Sequence, residues 1–129
     1  MAHHSQAQPE AVANIRNIAL VGHAGAGKTS LVEAMLLQLG LITKAGTVQT
    51  GDTICDFEQE EREHGHSLNA AFVHFNHEGK AFNVVDTPGA PDFIGQAMGV
   101  LPAVETAAMV VSADKGIHSV TRRLMNLAK

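Results

Sequence analysis

Eight residues near the start of the chain, from Gly22 to Thr29, carry the pattern G-x-x-x-x-G-K-[ST]. Glycine lets the backbone bend around an anion without a Cβ clash, so that successive N–H groups converge on phosphate oxygens. Lys28 supplies a point charge for the β- and γ-phosphates, and the Thr29 hydroxyl is of the kind that binds Mg²⁺. The pattern therefore predicts a site for a nucleoside triphosphate and its magnesium ion.

The residues on either side of this loop have the patterns of a strand and a helix. The apolar run 17–21 leads into the loop and predicts a buried strand. After the loop, Leu31, Met35 and Leu39 recur on one helical face, and Gly40 stands where a helix would end. Such a helix points its positive end at the phosphates, which distinguishes a phosphate loop from a chance glycine-rich turn.

The middle of the chain combines an irregular stretch with a predicted hairpin. Residues 41–67 lack a regular period, which is typical of a functional or mobile segment in a compact domain. Within them lies an acidic run, Asp56–Glu63, which we interpret as a solvated helical face. Residues 68–75 and 81–85 are rich in Phe and Val and predict two strands joined by a turn over 76–80.

The second strand of this hairpin ends at Asp86, which opens the segment Asp86-Thr87-Pro88-Gly89. Ligands bind at the carboxyl ends of the strands in open α/β sheets, so this segment is expected beside the phosphate loop. The later predicted elements are a helix over 92–100 capped by Asp92 and ended by Pro102, a buried strand over 107–111 and a helix over 117–129.

The composition fits one domain and limits its partners. The chain has 129 residues, of which 45% are hydrophobic and 17% charged, enough for a single core. No run reaches the length of a membrane span, and no signal-peptide pattern opens the chain. A single cysteine, Cys55, excludes an internal disulfide and fits a reducing cytoplasm. A net charge of −4 and the lack of Trp and Tyr disfavour binding of naked nucleic acid. We expect a cytoplasmic protein with no membrane partner, in which residues 1–14 form a flexible tail.

Several motifs in order resemble those of the N-terminal part of the G domain of a translational GTPase, with elongation factor G and its relatives as the nearest pattern. The motifs are Gly22-His23-x-x-Ala26-Gly27-Lys28-Thr29, Glu61-Arg62-Glu63-x-Gly65, Asp86-Thr87-Pro88-Gly89-x-x-Asp92-Phe93 and Ser112-Ala113-x-x-Gly116. The resemblance runs from about Asn17 to Lys129 and implies that residues 15–129 form this part of the domain. The implied fold is an α/β P-loop fold of three layers, with a mainly parallel sheet, one antiparallel hairpin strand and an incomplete C-terminal end.

The resemblance also implies ligands and site residues, namely GTP or GDP with Mg²⁺. The implied nucleotide-binding residues are His23, Ala24, Gly25, Ala26, Gly27, Lys28, Thr29, Ser30, Ser67, Asp86 and Gly89. For the metal, the resemblance implies Thr29, Ser67 and, through water, Asp86. The Gly89 amide would sense the γ-phosphate, whose loss would release both switch segments. Asp86 as a cap of the turn before Pro88, and Ser67 as a plain residue entering a strand, are the structural alternatives.

Departures from the family pattern at four positions concern catalysis. Ala90 stands where most of the family has a histidine that positions the attacking water. Because positioning groups contribute about 10²–10⁴-fold, hydrolysis is expected to be slow or supported by another residue. Ala24 and His66 replace two aliphatic residues of an apolar gate, so His66 either takes the missing role or is an exposed loop histidine. Gly25 replaces the usual aspartate, which removes the basis for monovalent-cation assistance.

Three functions fit the sequence, and we predict the first of them, with its catalytic competence left open. One is the switch-bearing part of an elongation factor G-like GTPase whose full form acts on the ribosome. Another is a module that holds GTP but barely hydrolyses it, which Ala90 favours. The third is an ATP-using P-loop enzyme, against which the Asp86–Gly89 segment and the lack of a lid segment argue. No Asn-Lys-x-Asp segment occurs within the 129 residues, so guanine specificity rests on the resemblance.

Overall fold

The strand that leads into the phosphate loop lies inside the sheet. The computed structural model describes residues 11–47, 50, 52–55 and 70–129. Strand β1 (Ile15–Val21) is followed by β2 (Ala71–His77), β3 (Lys80–Asp86) and β4 (Thr106–Met109). β1 pairs in parallel with β3 and β4, and β2 pairs antiparallel with β3, giving the order β2-β3-β1-β4. The sheet is therefore mainly parallel with one antiparallel hairpin strand, as predicted.

Helices cover both faces of this sheet and produce the predicted three layers. The helices are α1 (Lys28–Gln38), α2 (Ile94–Val100) and α3 (Ser119–Leu127), with 3-10 turns at Val12–Asn14, Pro91–Phe93 and Leu101–Ala103. Alternate residues of β1 enter two separate cores. Leu20 packs with Val32 of α1 on one face, whereas Val21 packs with Ala97 of α2 and Leu124 of α3 on the other. Over the described ranges, no helix combines the length and apolar character needed to cross a bilayer.

The predicted hairpin is present, with a tighter turn than expected. His77 pairs with Lys80, so the turn consists of Glu78 and Gly79 alone. Their φ angles are 48° and 71°, and two positive φ values give a hairpin turn whose twist matches that of the strands. A non-glycine residue in this conformation is uncommon. The predicted turn over 76–80 was thus too long, because Asn76, His77 and Lys80 belong to the two strands.

The ends of the helices show one confirmed prediction and one correction. Helix α1 ends as predicted at Gly40, whose N–H bonds to the Leu37 carbonyl at 3.0 Å while the next N–H reaches back to Leu36 at 2.9 Å. Asp92 was wrong as a helix cap, because it lies inside the first turn of the 3-10 segment and makes no cap hydrogen bond.

The later strand and helix are shorter than predicted. Strand β4 covers Thr106–Met109 instead of 107–111, although the Val110 N–H still bonds to the Val21 carbonyl at 2.8 Å. Helix α3 covers Ser119–Leu127 instead of 117–129.

Several sequence predictions lie outside the described residues, namely the acidic run Asp56–Glu63, His66, Ser67 and residues 1–10 of the predicted tail.

A row of polar side chains crosses the sheet toward the amino ends of its parallel strands. The Glu105 carboxylate accepts hydrogen bonds from the Asn17 backbone N–H at 2.6 Å and from its side-chain amide at 3.0 Å. Asn83 donates to the Asn17 amide oxygen at 2.7 Å, and His74 Nδ1 lies 2.8 Å from the Asn83 oxygen. The Asn17 N–H holds the pKa of the Glu105 carboxyl below its ordinary value. The row joins β2, β3, β1 and the residue that precedes β4.

Candidate functional site

The loop between β1 and α1 encloses its own lysine. Lys28 is only 6% exposed, and its Nζ donates hydrogen bonds of 3.0 Å to the carbonyls of Gly22 and His23. Gly25 and Gly27 have φ angles of +75° and +100°, which glycine adopts without strain. The loop thus holds the ammonium group against two of its own carbonyls, and a glycine-rich loop of this kind can present its backbone N–H groups to an anion.

The first turn of α1 is joined to the carboxyl end of β3. The Thr29 hydroxyl donates a 2.5 Å hydrogen bond to Asp86 Oδ2, and both side chains are buried. Burial lowers the pKa of Lys28, and the nearby Asp86 carboxylate offsets part of that lowering. A hydroxyl and a carboxylate in contact are oxygen donors of the type that Mg²⁺ prefers, so this pair fits a magnesium ion that keeps several waters. Two of the three predicted metal ligands are therefore neighbours, and the third, Ser67, lies outside the described residues.

The segment after β3 lies against the phosphate loop. Thr87 donates to the Leu20 carbonyl twice, from its backbone N–H at 3.3 Å and from its hydroxyl at 2.7 Å. A Cβ on Gly89 would lie 2.5 Å from both the Ala24 nitrogen and the Lys28 Nζ, so a side chain there is excluded. Gly89 and the loop are thus brought together as predicted. The role of Thr87 in holding this segment was not predicted, although a hydroxyl directly after a strand is a signal for it.

The His23 side chain connects the loop to α3. Its Nδ1 donates to the Ala24 carbonyl at 2.7 Å, and its ring centroid lies 4.1 Å from that of His118, the residue before α3. The other ring nitrogen, Nε2, is buried and has no hydrogen-bond partner within the part of the chain that the structure describes. His23 was predicted as part of the phosphate loop, whereas His118 was not predicted at all.

A second residue missed from the sequence reaches the same loop from the turn 112–116. The Lys115 Nζ lies 3.3 Å from the position that a Cβ on Gly25 would occupy. A partial signal for Lys115 was the Ser112-Ala113-x-x-Gly116 motif, which contains this residue at an unspecified position, whereas His118 lies outside the motif. The motif follows a strand parallel to β1, so its residues had to lie at the same edge of the sheet as the phosphate loop.

The remaining predicted residues are Ser30, Ala26, Ala90 and His66. Ser30 is exposed in the first turn of α1, and the Ala26 N–H donates to the His23 carbonyl at 3.2 Å. Ala90 is half-buried at the start of the 3-10 turn after Gly89. Its methyl group can neither orient a water molecule nor accept a proton. His66, the hypothetical substitute, lies outside the described residues.

Comparisons with known proteins identify one family and several relatives. The family described as elongation factor Tu GTP binding domain matches residues 13–129. An elongation factor G-like protein of Mycobacterium tuberculosis (strain ATCC 25618 / H37Rv) is 37% identical over 110 residues, which cover 85% of this chain and 15% of that protein. Peptide chain release factor 3 of Lactobacillus acidophilus is 38% identical over 124 residues, covering 93% of this chain and 24% of that protein.

A solved structure shows the same arrangement of elements. A crystal structure of a protein from Thermus thermophilus superposes with a TM-score of 0.85 at 37% identity, covering 90% of this chain and 18% of that chain. The chain spans 15–24% of the length of these three proteins.

Proposed function

The chain belongs to the elongation factor Tu GTP-binding domain family, whose members include translational GTPases, and we propose that it binds GTP and GDP with Mg²⁺ as a nucleotide-controlled switch. The observation that carries this proposal is the buried Thr29–Asp86 hydrogen bond beside the Lys28 ammonium. It brings a phosphate-binding cation and two oxygen donors for a metal to one edge of the sheet.

Each part of the site has a distinct task in this proposal. The amides of residues 24–29 bind phosphate oxygens, and Lys28 exchanges its loop carbonyls for the β- and γ-phosphates. Thr29 and Asp86 hold Mg²⁺, which neutralises the charge on the phosphate oxygens when it is bound. The Gly89 N–H, already held against the loop, contacts the γ-phosphate.

The same contacts support a switching mechanism. Gly89 belongs to the segment that Thr87 ties to β1, which supports a role for its backbone N–H in sensing the third phosphate. Loss of that phosphate would release this segment. It would also remove a contact of Ser67 and so release the switch segment that precedes this one in the chain. Because the relatives named above are translation factors, we propose that the whole protein uses this change on the ribosome in the cytoplasm.

Equilibrium titration with fluorescent GTP, GDP and ATP tests nucleotide binding. We expect both guanine nucleotides to bind in the presence of Mg²⁺, and Lys28→Ala to weaken GTP by about a hundredfold, because a buried charge-assisted contact is lost. Lys80→Ala, at the exposed hairpin turn, is the matched control and should bind like the wild type. Tighter binding of ATP than of GTP would favour the ATP-using alternative.

Ala90 supports a second candidate function, a module that binds GTP without hydrolysing it. Single-turnover hydrolysis with and without ribosomes separates the two candidates. Stimulated hydrolysis supports a GTPase, whereas GTP-dependent sedimentation with ribosomes and no hydrolysis supports the interaction module. Equal sedimentation with GTP and GDP, without stimulated hydrolysis, would contradict both.

A further inference from the structure

The turn between β4 and α3 carries a lysine to the phosphate loop. The Gly116 N–H donates to the Ser112 carbonyl at 3.0 Å, and these two residues form an antiparallel bridge that closes the turn. Lys115 lies within this closed turn, and its Nζ is 3.3 Å from the position of a Cβ on Gly25. A constrained backbone therefore presents the ammonium to the loop.

Lys115 forms no salt bridge with a carboxylate of the described residues. Asp114, the adjacent residue, accepts a hydrogen bond from the Ser112 hydroxyl, and this bond, more than the charge of Lys115, holds the pKa of Asp114 below its ordinary value. Across residues 11–47, 50, 52–55 and 70–129, the salt bridges join other residues. An ammonium without a salt bridge beside a phosphate-binding loop is attracted to a polyanion bound in that loop.

The identity of residue 25 makes this approach possible. Gly25 has φ +75°, and its missing side chain leaves the space into which the Lys115 ammonium projects. Any longer side chain there would compete with the ammonium for the same volume. Gly25 and Lys115 are thus sterically complementary, although 90 positions separate them in the sequence.

We propose that Lys115 is a second phosphate-binding lysine of this site, which contacts the terminal phosphates of the nucleotide from the β4–α3 turn. The inference rests on the proposed nucleotide-binding function and extends it to an element outside the phosphate loop. A triphosphate carries more negative charge than a diphosphate, so the contact strengthens GTP binding more than GDP binding. Because the same turn leads to His118, which packs on His23, bound GTP also holds the start of α3 against the loop.

The test compares GTP and GDP dissociation constants for Lys115→Met, Lys115→Gln and Lys115→Arg in saturating Mg²⁺. A lost charge-assisted hydrogen bond corresponds to a change of about tenfold, so we expect both neutral variants to weaken GTP by about this factor and GDP by less than about threefold. Lys115→Arg keeps the charge and should stay within about threefold of the wild type for both nucleotides. Lys80→Met, at the distant hairpin, is the control for loss of a surface charge.

Each outcome decides between this proposal and the one on which it depends. If the wild type binds GTP and Lys28→Ala does not, but the neutral Lys115 variants bind both nucleotides normally, the role of Lys115 is wrong and the nucleotide site stands. An equal loss of GTP and GDP affinity, with lowered melting temperature, would also overturn it by indicating a structural role. If the wild type binds no guanine nucleotide, the proposed function fails and this inference fails with it.

Discussion

The Thr29 hydroxyl donates a 2.5 Å hydrogen bond to the Asp86 carboxylate, across 57 residues of sequence. This bond joins the phosphate loop to the end of β3 before any ligand contact is considered. Because the two oxygen donors already lie together, little reorganisation is needed for a metal to use both, directly or through water.

Replacing that carboxylate tests the metal site. Asp86→Asn keeps the size and an acceptor for Thr29 but removes the charge, so we expect the affinity for Mg²⁺ to fall by about 10–100-fold. The measurement is a Mg²⁺ titration at fixed GTP, followed by fluorescent-nucleotide binding. Glu78→Gln, which removes an exposed charge at the hairpin, should leave the titration unchanged. An unchanged midpoint for Asp86→Asn would contradict a metal role for this residue.

The close approach of Gly89 to the loop predicts a steric effect. In Gly89→Ala, the new methyl group would stand 2.5 Å from the Lys28 Nζ, so the loop and the following segment must separate. We expect GTP affinity to fall by about tenfold or more, because the lysine and the Gly89 amide lose their relative positions. Gly95→Ala is the matched control, since no atom from outside the neighbouring turns of its own helix lies within 4 Å of its added Cβ. Because Gly95 lies in the first turn of α2, this change should alter the stability of the protein by less than about 0.5 kcal/mol.

Replacing Glu33, which lies outside the candidate nucleotide site, is expected to lower the stability of the fold strongly. Its side chain is 1% exposed and accepts hydrogen bonds from the N–H groups of Gly46 at 2.7 Å and Ile54 at 2.5 Å. Glu33→Ala would leave both donors unsatisfied, and we expect the free energy of unfolding to fall by about 2–4 kcal/mol. Urea denaturation measures this change, with exposed Gln38→Ala as the control on the same helix. Equal midpoints for the two variants would show that the Glu33 contacts carry no net stability.

Replacing Ala90 with histidine is expected to increase the rate of GTP hydrolysis. If the methyl group limits hydrolysis, Ala90→His should raise the ribosome-stimulated single-turnover rate by about 10²–10⁴-fold, the usual contribution of a positioned proton-transfer group. Ala90→Leu adds bulk without a ring nitrogen and should not accelerate hydrolysis. A wild-type rate that already equals that of a histidine-bearing relative would refute the premise, and an equal gain in both variants would assign the effect to bulk.

Glu105 predicts a defined pH dependence of stability. The Asn17 N–H lowers the pKa of the folded carboxyl below its ordinary value of 4.5. The unfolded state therefore binds more protons in this range, and the stabilisation is present above pH 4.5 and lost as the pH falls through the folded pKa. We expect wild type to have a higher urea midpoint than Glu105→Gln near neutral pH and the same midpoint in acid. A constant difference at all pH values would contradict this.

Local patterns predicted the centre of the site but not its surroundings. The phosphate loop was predicted from the sequence because its motif lies between a predicted strand and a predicted helix. Asp86 was predicted because it ends another strand, and the carboxyl ends of parallel strands lie at the same edge of the sheet. Lys115 and His118 approach that loop from the end of β4, where the chain closes a turn between Ser112 and Gly116. Such a closure depends on three-dimensional register, which a one-dimensional pattern does not specify.

The bounds of the elements were less predictable than their order, for a related reason. Glu33 has the spacing of an ordinary polar residue on a helix, and its burial goes with the Gly46 and Ile54 N–H groups that donate to its carboxylate. The hairpin turn is tighter than its composition suggests because Glu78 accepts a positive φ to complete the pairing of β2 with β3. In both cases tertiary contacts outweigh local preference.

The row from His74 to Glu105 has a consequence for folding specificity. A shift of β1 by one residue relative to β3 would turn Asn17 to the opposite face and part it from both Asn83 and Glu105. The same slip would carry Thr29 about 3.3 Å along the sheet, away from its partner on β3. Polar groups remote from the nucleotide site thus penalise misaligned pairings, so that correct assembly of the sheet and a competent phosphate loop are selected by the same alignment.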